Sequence, residues 1–266
     1  MMRITFRGTG DSMGVPRVYC SCAVCEEARS TGINRRLRSL VQLDGLGAEP
    51  AGGADDPVCI DCGPDWGRQM EAAGLRFVRR ILITHAHFDH IGGLVEWADA
   101  CRWLNVKGEA FAAAEVIGEI NARFPWLQRQ IDFHAIDGGN LRMGNWDITS
   151  WRINHGKNGY AYAFRFDHAV EKRSWAYCSD AIGLSDEQQQ PLYGLNLLVL
   201  GTSFYKEPFA YETRSVYDVT EALELLQLWQ PNHTIFTHMS HDIDLNSDYG
   251  LPTSVQFARA ALEVTV

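Results

Sequence analysis

Residues 81–90 read ILITHAHFDH. The apolar run over Arg80–Thr84 predicts a buried strand, and four side chains able to bind metal, His85, His87, Asp89 and His90, follow within six residues. On extended backbone residues i and i+2 share a side, so His85 and His87 can converge on one ion. Asp89 and His90 arrive as the chain turns, where they can face a second ion close by. Imidazole nitrogen and carboxylate oxygen suit Zn, Mn or Fe, and such mixed sites commonly leave a position for water. Gly92 and Gly93 let the next helix pack tightly.

The rest of the chain reads as a frame for that cluster. Strands are predicted over Arg3–Arg7, Ser39–Leu43, Val58–Asp61, Arg80–Thr84, Tyr160–Phe166, Ser174–Cys178, Leu195–Leu200 and Thr234–Thr237. Helices are predicted over Ala23–Ser30, Ala114–Phe124 and, with the best amphipathic spacing, Val216–Trp229. The Gly-, Ala-, Pro- and Asp-rich stretch Asp44–Pro57 reads as a surface loop or hairpin tip. Mixed elements without long linkers indicate one layered α/β domain over residues 1–266. A hydrophobic content of 46% against 21% charged residues supplies enough core for a unit of that size.

A second cluster stands near the N-terminus. Cys20, Cys22 and Cys25 offer three thiolates within six residues. A closed tetrahedral zinc site wants a fourth ligand, and His241 is the candidate. It lies three residues after His238, so one loop can serve both clusters. Seven cysteines in all, an odd number, fit a metal site in a reducing compartment better than a disulfide framework. Cys59, Cys62, Cys101 and Cys178 lie in apolar settings and read as core, while His134, His168 and His233 read as surface or loop residues. Trp97, Trp103, Trp126 and Trp151 are expected to fill core and interface, and Arg35, Arg36 and Arg38 to form a solvated strand flank.

The pattern HxHxDH after an apolar strand resembles the signature of the metallo-β-lactamase superfamily. Cys59-Ile60-Asp61-Cys62-Gly63 resembles that family's strand ending in Asp before Gly. In sequence order, His155 in INHGK, Asp180 in YCSDA and His238 in IFTHMSH resemble its remaining ligands. The resemblance implies a four-layer αββα sandwich with two divalent ions at one edge of the sheets. One ion would take His85, His87 and His155, the other Asp89, His90 and His238, and Asp180 would bridge them. A metal-bridging hydroxide would be the nucleophile, with Asp89 orienting it. CxCxxC near the N-terminus with THxxH near the C-terminus is similar to the branch holding the phosphoribosyl cyclic phosphate phosphodiesterases of the carbon–phosphorus lyase pathway, and more distantly to ribonuclease Z. Two catalytic ions (Mn or Zn, or else Fe) and one structural Zn are therefore expected.

One departure bears on the substrate. Relatives of this kind carry a His before the last helix that stabilises the phosphate or protonates the leaving alkoxide, and here Val216 holds that position. Tyr205, Lys206 and Tyr217 are the neighbouring donors that could compensate. Losing one general acid typically costs ~10²–10⁴-fold.

The expected activity is hydrolysis of a small cyclic phosphate or nucleotide phosphodiester. Two alternatives remain: a hydrolase of the same fold acting on a lactone or thioester, or a non-catalytic accessory protein binding metal or nucleotide. The net charge of −9 disfavours long nucleic acid as a partner. The absence of an apolar block at the N-terminus or of a long apolar run points to a cytoplasmic chain with no membrane partner. A homodimer is the default assembly.

Overall fold

The computed structural model describes residues 1–46, 56–136 and 140–266. Its first sheet is built from β1 (Arg3–Gly8), β2 (Leu40–Asp44), β3 (Val58–Ile60), β4 (Arg80–Leu82), β5 (Gly108–Ala112), β6 (Ile131–Ala135) and a late strand from near the C-terminus, Glu263–Thr265. The second sheet holds β7 (Asn140–Met143), β8 (Trp146–Asn154), β9 (Tyr160–His168), β10 (Ser174–Cys178), β11 (Leu197–Gly201), β12 (His233–Thr237) and β13 (Val255–Phe257); the late strand is β14. Among the described residues seven α-helices lie between them: α1 (Ala23–Ser30), α2 (Trp66–Ala73), α3 (Phe88–Ile91), α4 (Leu94–Leu104), α5 (Ala114–Arg123), α6 (Asp186–Gln189) and α7 (Val219–Trp229).

The first sheet runs β14-β1-β2-β3-β4-β5-β6 and the second β13-β12-β11-β10-β9-β8-β7. Strands β3 to β6 are mutually parallel, as are β10 to β13. Parallel neighbours need crossovers, and helices supply them except between β12 and β13, which a loop joins. Strands covered on both faces read as unbroken apolar runs, and Leu197–Gly201 is buried at every position. β8, half-covered, alternates buried and partly exposed residues along its length.

Two apolar layers hold the stack together. Between the sheets, Phe6, Val41, Ile60 and Leu82 meet Ile148, Phe164, Trp175 and Val199, and α7 adds Ala222 and Trp229 to the same apolar cluster. Outside the first sheet, Met70, Leu94, Trp97, Val116 and Ile120 of α2, α4 and α5 close over Ile81, Ile83 and Ala110. The buried Trp97 indole donates to Val78 O at 2.7 Å and that of Trp229 to Gln189 Oε1 at 2.8 Å, so neither ring costs an unpaired donor. Helix, sheet, sheet and helix form the expected four-layer αββα sandwich.

Several expectations need correction. The last helix starts at Val219, not Val216, because Asp218 caps it: its carboxylate accepts from the Glu221 amide while Glu221 accepts from the Asp218 amide. Arg36 is not solvated: it is buried, donates to Ile243 O at 2.6 Å and Asn34 O at 3.1 Å, and burial pushes its pKa down to about 10. Trp103 and Trp126 lie at the surface, 76% and 42% exposed. Cys59, Cys62, Cys101 and Cys178 are buried as expected. Of the loop Asp44–Pro57, residues 47–55 lie outside the described residues. Among the described residues no helix is long and apolar enough to cross a membrane.

Candidate metal centre

The cluster is assembled where parallel strands end. Beyond β3, Asp61 takes a left-handed conformation (φ 66°) that turns its carboxylate back under the next strand. There it accepts from the Thr84 amide at 2.8 Å, from the Thr84 hydroxyl at 2.9 Å and from His90 Nδ1 at 2.7 Å. A buried carboxylate with three donors is well compensated. It also fixes the His90 tautomer, leaving Nε2 to face inward. His85 is oriented similarly, its Nδ1 lying 3.0 Å from Thr84 Oγ1.

Close backbone approach makes the turn possible. The Cys62 amide donates to His90 O at 2.7 Å and the Gly93 amide to Cys62 O at 2.8 Å. A Cβ on Gly93 would come within 2.3 Å of Gly63 O, so no other residue fits there without displacement. α4 consequently begins directly behind the cluster.

The other three positions arrive from the second sheet. His155 follows β8 and donates from Nδ1 to Ser215 O at 2.7 Å, leaving Nε2 free. Asp180 follows β10, and His238 follows β12 with φ 56°. Asp180 Oδ1 lies 3.3 Å from His238 Nε2 and 3.6 Å from His155 Nε2, and its Oδ2 lies 3.3 Å from His90 Nε2. Asp89 Oδ2 is 3.1 Å from His90 Nε2 and 3.4 Å from His238 Nε2.

All seven sequence-predicted residues are therefore brought together. Ligand-type atoms within 4.8 Å of one another fall into three overlapping groups: His85, His87 and His155; Asp89, His90 and His238; and His85, His90 and Asp180. Two ring nitrogens, His85 Nε2 and His87 Nδ1, face each other at 2.9 Å. His90 Nε2 and Asp180 Oδ2 are buried without a hydrogen-bond partner. Burial, with His90 alongside, pushes His85 well below its ordinary pKa, so it stands neutral with a free lone pair. Burial opposes the charge on Asp180, yet His238, His90 and His155 hold it well below the usual carboxylate range. Asp89 is held down against its own burial by His90 and His238. His85, His87 and His155, each pushed down by burial, stand beside carboxylates that hold their charge against His90 and His238, and such a mixture of imidazole nitrogen and carboxylate oxygen is a donor set that divalent cations fit.

The cysteine cluster also closes. Sγ of Cys20, Cys22 and Cys25 lie 3.3, 3.5 and 3.4 Å from His241 Nδ1. In a tetrahedral site with zinc–ligand bonds of about 2.1–2.3 Å, neighbouring ligand atoms stand roughly 3.6 Å apart, so the four atoms fit. The Cys22 amide lowers the Cys20 thiol, while burial pushes Cys25 up to about 11. Met239 pairs with Thr9 and Asp11 through backbone bonds of 2.8 and 3.1 Å, tying the N-terminal segment to the loop that carries His238 and His241.

Val216 is buried, and so is Tyr217, whose hydroxyl accepts from the Leu184 amide at 2.9 Å. The Tyr205 ring is partly buried against Tyr249 at 4.6 Å, and Lys206 is exposed. Sequence reasoning passed over Arg123, Glu119 and Tyr160, which are linked to the backbone between His85 and His87; the contacts of Arg123 with Ala86 and of Tyr160 with Glu119 span 37 and 41 positions and leave no local signature.

Residues 57–239, more than half of the chain, match the family model of the beta-lactamase superfamily domain. A crystal structure described as a new diphosphatase from the PhnP family superposes with a TM-score of 0.84 and 26% identity, covering 100% of this chain and 98% of that one. An octanoyltransferase of Porphyromonas gingivalis is 25% identical over 93% of this chain, which spans 48% of that relative's length. A ribonuclease Z of Thermococcus onnurineus is 28% identical over 41% of the chain, matching 37% of its own length. Sequence, layer order and the matched family model agree, and the chain belongs to the beta-lactamase superfamily.

Proposed function

We propose that the protein is a dinuclear metal-dependent hydrolase acting on a small phosphodiester. The observation that carries this reading is the convergence of ligand-type atoms: His90 Nε2 and Asp180 Oδ2 are buried without a hydrogen bond, facing each other at 3.3 Å in the group that joins the two three-residue sets. His85, His87 and His155 would hold one ion, Asp89, His90 and His238 the other, and Asp180 would reach both. Two divalent ions in such a site lower the pKa of a shared water and neutralise phosphoryl oxygens. Around them, Asp61 and Ser215 O keep the ring nitrogens turned inward, and Asp89 orients the attacking water. Cys20, Cys22, Cys25 and His241 would hold a structural zinc that pins the N-terminal segment.

The phosphodiester class draws support from the similarity to a PhnP-family diphosphatase and to ribonuclease Z. A small substrate is favoured by the net charge of −9, which opposes a long polyanion. Val216 and the enclosed Tyr217 offer no proton to a leaving group, so substrates with good leaving groups should be preferred.

The test is hydrolysis of bis(p-nitrophenyl) phosphate by manganese-reconstituted protein, with Asp89→Ala as control. Turnover that disappears in the control supports the reading. Absence of turnover with both ions bound would shift it to a lactone or thioester hydrolase, in which attack on a carbonyl needs no leaving-group acid.

A further inference from the structure

The wall beside the centre is formed by α5 and by the strands β8 and β9. Arg123, the last residue of α5, donates to the carbonyl of Ala86, the residue between His85 and His87. The same guanidinium donates to Glu119 Oε2 at 2.8 Å. The other oxygen of that carboxylate accepts from the hydroxyl of Tyr160, at the start of β9. Tyr160 begins the strand that leaves the turn carrying His155, and the His155 amide donates to Gly159 O at 3.0 Å. Two residues on, the Tyr162 amide donates to Thr84 O at 3.0 Å, directly before His85. A continuous chain of hydrogen bonds therefore runs from the backbone between His85 and His87, through Arg123, Glu119 and Tyr160, to the turn that presents His155. Among the described residues these hydrogen bonds join the three side chains to one another and to Ala86 O, not to a histidine ring of the cluster.

The geometry points to Arg123, Glu119 and Tyr160 as positioning residues that set the spacing of the three-histidine group across the gap between the sheets. His85 and His87 come from one sheet and His155 from the other, so their mutual distances depend on how the two sheet ends are held. The ring centroids of His85 and His87 lie 5.2 and 5.1 Å from that of His155, and the α5 linkage closes the same gap from outside. Among the described residues the group Asp89, His90 and His238 has no such tie to α5, and its His90 is oriented by Asp61 beneath. Asp61 also reaches His85 through Thr84, so the α5 linkage is what distinguishes the halves, and loosening it should weaken the three-histidine group selectively. This inference rests on the reading of His85, His87 and His155 as one ion's ligands.

The test is titration of Mn²⁺ into the protein with its cysteine cluster left loaded, free Mn²⁺ being read from its EPR signal. Arg123→Met and Tyr160→Phe should each weaken one of two binding steps by roughly 10–100-fold, the usual effect of removing an outer partner, and leave the other unmoved. Arg123→Lys, which can still donate to Ala86 O, should recover part of the loss. In a His155→Ala background, Arg123→Met should add nothing to the same step. Arg102→Met, which breaks an exposed pair on α4, should leave both steps unchanged, and circular dichroism checks that each variant folds. Wild-type protein binding neither Mn²⁺ nor, in a parallel titration, Zn²⁺ or Fe²⁺ at these residues would overturn the metal reading and this inference with it. Two wild-type steps unmoved in Arg123→Met and Tyr160→Phe, or both steps weakened alike, would overturn the positioning role alone.

Discussion

Asp61 shows how much of the centre rests on one residue that would bind no ion. Its three accepted hydrogen bonds orient Thr84 and His90 together. Asp61→Ala should leave His90 free to rotate and cost about 10–100-fold in metal affinity or activity, measured as bound metal after dialysis and as diester turnover. Ligand-type residues like these were legible because they fall at strand ends in a fixed order, with His85, His87, Asp89 and His90 packed into six positions. Arg123 was not legible, since its contact with Ala86 depends on how a helix ends 37 positions away. Arg36 was misread for a similar reason: a run of arginines looks solvated until the backbone carbonyls of Asn34 and Ile243 enclose one of them. The thiols make a pH prediction of definite sign. Each must lose its proton to bind zinc, and Cys25 holds its own up to about 11. Zinc affinity should therefore rise steadily with pH through neutrality, and competition with a chelator at several pH values measures it.

At the scale of elements, α7 illustrates the division between pattern and cap. Its apolar spacing was readable, but its start was set by Asp218 and Glu221, whose reciprocal bonds fix the first turn at Val219. Arg214 joins the same carboxylates, lying 3.2 Å from Glu207 and 3.4 Å from Asp218 and pairing with Glu221. Asp218→Ala should remove the cap and lower stability by about 0.5–2 kcal/mol, read from urea unfolding. Of the three-residue strands, β3 and β4 were legible because their apolar runs continue past the paired residues, whereas β13 and β14 were not. A three-residue strand carries little periodic signal, and only its neighbours in the sheet define it.

Across the whole molecule, the two sheets meet at a seam whose end carries all seven proposed ligands of the dinuclear centre. The first sheet brings His85, His87, Asp89 and His90, while the second brings His155, Asp180 and His238, so the centre exists only when both are docked. The cysteine cluster makes a second cross-link, between the segment after β1 and the loop after β12. Cys22→Ser should release one tightly held zinc, measured by elemental analysis. Hydrogen exchange should then quicken in residues 11–25 and 238–245 while the sheet cores stay protected. An unchanged zinc content in that variant would remove the structural-zinc reading.

Cys20 and His241 are separated by 221 positions, yet their side chains finish 3.3 Å apart. During synthesis at about 5–20 residues per second, the thiols would leave the ribosome roughly 10–45 s before the imidazole that completes their site. For that interval the nascent chain carries three uncapped cysteines, open to stray metal or to oxidation, and its maturation depends on how reducing and how metal-buffered its surroundings are.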